Sequence, residues 1–192
     1  MVRKQFQSLN NIEREILNTD LKNFSISVEN IINSTNFKFT IHFPINNQKE
    51  AYPEIFLVPN DLNYLLESLT KTKIPNSAGI YFGFIKKGKF LLSLEGLELL
   101  NDQNLLSKDH YLIIDKKGEQ AILYGNDIRK NMVKSYPLTF KTDHLVAVLN
   151  VHKELLCIAK PIINFNEWNL FQRKKRIAIN LIDKGYYLRS AQ

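Results

Sequence analysis

The apolar residues of this chain fall in short runs between polar turns, and a polar joint at residues 101–109 divides the runs into two sets. The joint holds Asn101-Asp102-Gln103-Asn104 and Ser107-Lys108-Asp109, residue types that favour loops and domain boundaries. A chain of 192 residues could build one generous core or two small ones. The joint favours two, an N-terminal domain at 1–104 and a C-terminal domain at 105–192. No apolar run approaches the roughly 18–20 residues of a membrane-spanning helix. The start Met1-Val2-Arg3-Lys4-Gln5 lacks the apolar segment of a secretory signal, so the expectation is a soluble, intracellular protein with no membrane partner.

In the first half, Asn10 caps a predicted helix through Leu17. Phe24-Ser25-Ile26-Ser27-Val28 and Phe37 through Phe43 alternate apolar and polar residues, the two-residue period of half-buried strands. Ile55–Val58 predicts a third strand, and Pro59-Asn60-Asp61 starts a helix with Leu62, Leu65, Leu66 and Leu69 on one apolar face, read as core. Ala78–Ile85 and Lys89–Leu94 flank Lys86-Lys87-Gly88, a hairpin in which Gly88 supplies a positive φ. Leu97–Leu100 leads out of this domain.

The second half predicts strands at 111–114, 138–140, 145–151, 155–159 and 176–182, with a turn at Asp115-Lys116-Lys117-Gly118. Together the halves read as an α+β chain of the broad α/β class: an antiparallel sheet with helices, then a small mixed barrel. The single cysteine, Cys157, sits in an apolar run and reads as a buried small hydrophobe. His42, His110, His144 and His152 have no partners at metal-ligand spacing, so neither a metal nor a cofactor is expected. Phosphate-cradling glycine motifs, a nucleophile elbow and HExxH are all missing from the sequence, and an enzyme is not expected.

Charge separates the halves. Residues 1–100 carry 11 basic and 10 acidic side chains, net +1, and residues 101–192 carry 15 and 9, net +6. A polyanionic partner suits the second half, because lysine and arginine release counterions from phosphates. Arg173-Lys174-Lys175-Arg176 enters an apolar strand, with Phe171 and Trp168 close by as planes for unpaired bases. The same run also fits a solvated loop or a charged guard on an edge strand. Arg129, Lys130 and Lys134 follow Gly125-Asn126-Asp127, where Gly125 could let backbone approach a phosphate or merely shape a turn. Lys184 and Arg189 are lesser candidates, and Tyr124 reads as core.

Gly118-Glu119-Gln120-Ala121-Ile122-Leu123-Tyr124-Gly125-Asn126-Asp127-Ile128 resembles the Nip-seven family of PUA-domain ribosome biogenesis proteins. Phe82-Gly83 with Lys86, Lys89 and Phe90, the segment His144 through Pro161, and Ile177 through Arg189 follow in the family's order. The resemblance implies an N-terminal α/β domain joined to a C-terminal PUA pseudo-barrel that binds RNA. It also implies pre-ribosomal RNA processing and large-subunit assembly, with pre-rRNA (uridine- or adenine-rich single strand) and other assembly proteins as partners. A monomer is expected, cytoplasmic in an archaeal-type source and nucleolar in a eukaryote. The chain departs from the pattern at Phe84, where the family has lysine, and at Asn131, where PUA domains place a glycine. Asparagine tolerates the left-handed conformation better than most residues, so the turn can survive there. The rival reading is an adaptor whose N-terminal domain recruits a protein, through the Phe82–Phe90 hairpin or the helix at 61–69, while the PUA domain is structural.

Overall fold

Asn10 starts the first helix by a reciprocal pair of hydrogen bonds. Its side chain accepts from the Glu13 amide at 2.9 Å, and the Glu13 carboxylate accepts from the Asn10 amide at 2.8 Å. In the computed structural model, which describes residues 6–44, 52–69, 75–137, 141, 142, 144–186 and 189, this cap opens α1 (Asn11–Leu21). Leu17 and Leu21, four residues apart, turn one helix face into the core.

The strand predicted at Phe24–Val28 is not formed. A 3-10 turn at Lys22–Phe24 ends in Ser25 at φ +56°, and Ser27 caps α2 (Val28–Ser34) by accepting from the Asn30 amide at 3.1 Å. Phe24, Ile26 and Val28 are all buried, so the alternation is real, but a turn and a helix start produce it. Serine side chains bonding to nearby backbone offer the chain this alternative to a sheet ladder.

Five antiparallel strands follow in chain order across one sheet: β1 (Phe6–Ser8), β2 (Phe37–His42), β3 (Glu54–Pro59), β4 (Ile80–Lys86) and β5 (Lys89–Leu92). β4 and β5 close through Lys87 (φ +51°) and Gly88 (φ +73°), the two-residue hairpin with both central residues at positive φ. The Asp20 carboxylate accepts from the Phe90 amide at 2.6 Å, which ties α1 to the edge strand β5. His42 is buried and bonded to Glu54 at 2.9 Å.

One helix of this unit differs from expectation. α3 (Asn63–Leu69) leaves its apolar face in solvent, with Leu62 47%, Leu65 51% and Leu69 42% exposed, and only Leu66 packs on Phe6, Phe56 and Val58. The 3-10 turn at Asn60–Leu62 advances three residues per turn, which takes Leu62 out of line with the α-helical leucines. Leu97–Leu100, expected to lead out of the domain, does so as part of α4 (Leu94–Asp102), capped by Ser93 and burying Leu94, Leu97 and Leu100.

The chain divides into compact units at 1–105 and 106–192. The second contains β6 (Tyr111–Ile114), α5 (Lys116–Leu123), β7 (Ile128–Arg129), β8 (Val133–Ser135), β9 (Val146–Leu149), β10 (Leu155–Pro161) and β11 (Arg176–Asp183). Their order is β7-β11-β10-β9-β6-β8, antiparallel except for the parallel pair β6–β9. The outermost strands, β7 and β8, are joined only by the 3-10 turn Lys130–Met132, so the sheet curls into a near-closed barrel. The turn predicted at Asp115–Gly118 is a helix start: Asp115 accepts from the Gly118 amide at 2.7 Å and caps α5. The strand predicted at 138–140 lies outside the described residues. Among those residues no helix is long and apolar enough to cross a membrane.

Leu112, Ile114, Ile122, Val148, Cys157 and Ile177 form the centre of this barrel. Burial pushes the Cys157 thiol well above its usual range, and the charge of Asp183, its partner across β10–β11, adds to the shift. Native protein should therefore resist iodoacetamide at about pH 8, where a free thiol of pKa about 8.5 reacts, and react once unfolded in guanidinium. The unfolded chain gives up this proton first, so the thiol's contribution to stability is present below about pH 8.5 and is lost as pH rises beyond it. Denaturant titrations should show a smaller alkaline loss of stability in Cys157→Ala. Rapid alkylation of the folded protein would contradict this placement.

Candidate nucleic-acid interface

β7 is only two residues long, and its pairing with β11 sets Arg129 directly opposite Arg176. The chain beyond β7 continues the docking through backbone. The Lys130 amide donates to the Lys175 carbonyl at 3.0 Å, and the Asn131 amide to the Arg173 carbonyl at 2.7 Å. The Arg129 guanidinium adds a bond to the Lys174 carbonyl at 3.2 Å. Two basic segments more than 40 residues apart in sequence thus form one surface, with Arg129, Arg173, Lys174, Lys175 and Arg176 all exposed. Like charges facing each other across two strands repel. Asp127 offsets one of them by accepting from Arg176 at 2.9 Å, and the Arg176 side chain stays 55% exposed.

The other sequence candidates take different places. Lys130 is half-buried and its ammonium donates to the carbonyls of Trp168 at 2.7 Å and Phe171 at 2.9 Å, so it closes the end of the 3-10 turn Phe165–Leu170. Asn131 lies in the turn Lys130–Met132 and is not left-handed; its backbone is spent on Arg173. Lys134 is exposed on β8, at the opposite end of the strand order from β7. Gly125, at φ +84°, ends α5: its amide donates to Ile122 at 2.7 Å and the Asn126 amide to Ala121 at 3.0 Å, the paired bonds of a glycine helix stop. The space beside Gly125 is filled by the Arg189 guanidinium, 3.2 Å from where a Cβ would stand.

Arg189 itself is a strut. It donates to both carboxylate oxygens of the buried Asp183 at 2.9 Å and to the Leu123 carbonyl, and the bonds to Asp183 raise its pKa further. Lys184 is half-buried and its amide donates to the Leu156 carbonyl at 2.9 Å. Trp168 is buried and stacked on Tyr136 at 3.9 Å, which removes it as a plane for bases. Phe171 is half-buried under the Lys175 ammonium, 5.3 Å from its ring centre. Tyr124, expected in the core, is 78% exposed.

Comparison with known proteins places this barrel among PUA folds. Residues 110–192 match the family model described as the UPF0113 PUA domain. The chain is also 26% identical over 151 residues to an Archaeoglobus fulgidus protein described as a UPF0113 protein, across 79% of this chain and 81% of that one. A conserved PUA domain protein from Thermoplasma acidophilum superposes with a TM-score of 0.61 at 13% identity, covering 97% of this chain and 98% of its own. A PUA domain from Aeropyrum pernix, solved in complex with tartrate, gives 0.64 at 15% identity, covering 95% and 88%. At those identities the structures speak for the fold.

Two features of the basic face of this PUA-type barrel escaped the sequence. Asp127 gives no signal in spacing, since its partner Arg176 lies 49 positions away. Tyr124 could have been placed: two residues beyond the buried Ile122, it stands about 200° round the helix from the core face at roughly 100° per residue. The division between struts and free cations is testable. Lys130→Ala should cost about 1–3 kcal/mol, because two carbonyls lose their donor, while Lys174→Ala should stay within about 0.5 kcal/mol. Urea titrations measure both, and equal costs would refute the distinction.

Proposed function

We propose that this protein binds RNA through the basic face of its PUA domain and serves, without a catalytic step of its own, in ribosome assembly. The observation that carries the reading is the opposed pair Arg129 and Arg176 with Arg173, Lys174 and Lys175 hung on the same backbone bonds. Such a cluster repels itself until anions lie between its charges, and phosphates along a strand supply them at regular intervals. The resemblance to the Nip-seven family supports the finer reading of pre-rRNA and large-subunit precursors as the RNA, with other assembly proteins as companions.

A second reading has an observation of its own. Leu62, Tyr64, Leu65 and Leu69 leave an apolar face exposed at α3, as an adaptor domain would. Fluorescence anisotropy of single-stranded RNA over a salt series separates the two. The triple variant Arg173→Ala, Lys174→Ala, Lys175→Ala should weaken binding for all sequences alike and reduce the salt slope by roughly 2, about 0.7 per phosphate contact on a single strand. An unchanged slope in the folded variant favours the adaptor. Crosslinking in cells followed by RNA sequencing tests the finer reading: reads should concentrate on large-subunit precursor RNA, and a broad non-ribosomal profile would overturn it.

A further inference from the structure

We propose that Tyr124, with Tyr186 beside it, is a stacking platform for unpaired bases, so that the PUA domain selects single-stranded over paired RNA. This rests on the reading of the basic face as an RNA surface. Tyr124 is 78% exposed and Tyr186 53% exposed. Their backbones are neighbours because Gly185 is pressed against Leu123, leaving no room for a Cβ on Gly185 beside the Leu123 carbonyl oxygen. Each tyrosine is the residue immediately after one member of that pair.

The support beneath Tyr124 is rigid. Leu123 before it accepts from Arg189, and Gly125 after it holds the helix stop against the same guanidinium. Asn180 donates to the Asn126 carbonyl at 3.4 Å and its amide to Asp127 at 3.0 Å, which fixes the loop on β11. A ring presented on so constrained a backbone loses little freedom when a base covers it. Asp127 lies three positions after Tyr124, at most about 11 Å of extended chain, and it holds Arg176 at 2.9 Å. A base on the ring therefore leaves its strand's phosphates within reach of the arginine pair. The other aromatics near the basic run cannot serve, since Trp168 is stacked internally and Phe171 lies under Lys175. Paired bases already have both faces covered by neighbours, so an exposed ring recognises the unpaired state rather than a sequence.

The test is an anisotropy titration of wild type, Tyr124→Ala, Tyr124→Phe and Tyr186→Ala against oligouridine, the same oligomer with abasic sites throughout, and a duplex of equal length. Tyr124→Ala should bind intact oligouridine about 5- to 100-fold more weakly, Tyr186→Ala should show a smaller loss, and Tyr124→Phe should match wild type. On the abasic strand and the duplex, Tyr124→Ala should equal wild type, and its salt slope should be unaltered. Equal losses on intact and abasic strands, or no loss on either, overturn the platform while the RNA surface stands. No salt-sensitive binding of any RNA by wild type overturns both.

Discussion

Two backbone hydrogen bonds, from Lys130 to the Lys175 carbonyl and from Asn131 to the Arg173 carbonyl, decide where the positive charge of the PUA-type barrel collects. They extend the two-residue strand β7 into the turn that follows, and so bring the loop after α5 against the loop that opens β11. Backbone bonds carry no net charge, so they hold the segments together against the repulsion of the side chains they align. The surface is therefore formed before any ligand arrives.

Around that docking the basic residues divide by what their ends touch. Lys130 and Arg189 spend their charge on carbonyls and on the buried Asp183, whose carboxylate would be costly to leave unmet. Arg173 and Lys174 extend into solvent, Lys175 lies exposed over the Phe171 ring, and Arg176 and Arg129 are half committed, to Asp127 and the Lys174 carbonyl. Net charge alone counts all of these as equal. The structure makes the first pair architectural and leaves the others for electrostatic work.

Sequence pattern was most informative where local rules govern. The Asn10 cap, the Lys87–Gly88 hairpin and the burial of Cys157 all follow from neighbouring residues. It misled where a short polar side chain had two uses: Ser27 and Asp115 cap helices where a strand and a turn were expected. The merging of Arg129 with the 173–176 run depends on a pairing across more than 40 residues, which no local spacing encodes. Trp168 lost its expected place to another non-local contact, since Tyr136, far off in sequence, covers its ring, whereas the exposure of Tyr124 follows a local rule, the helical spacing that turns it away from the buried Ile122.

Photo-crosslinking of a 4-thiouridine oligomer to the intact protein, followed by peptide mapping, tests the central claim most directly. The account predicts crosslinked peptides from residues 124–129 and 173–176, both segments labelled in the same experiment. Crosslinks confined to the apolar helix at Asn63–Leu69, with none in those two segments, would contradict it.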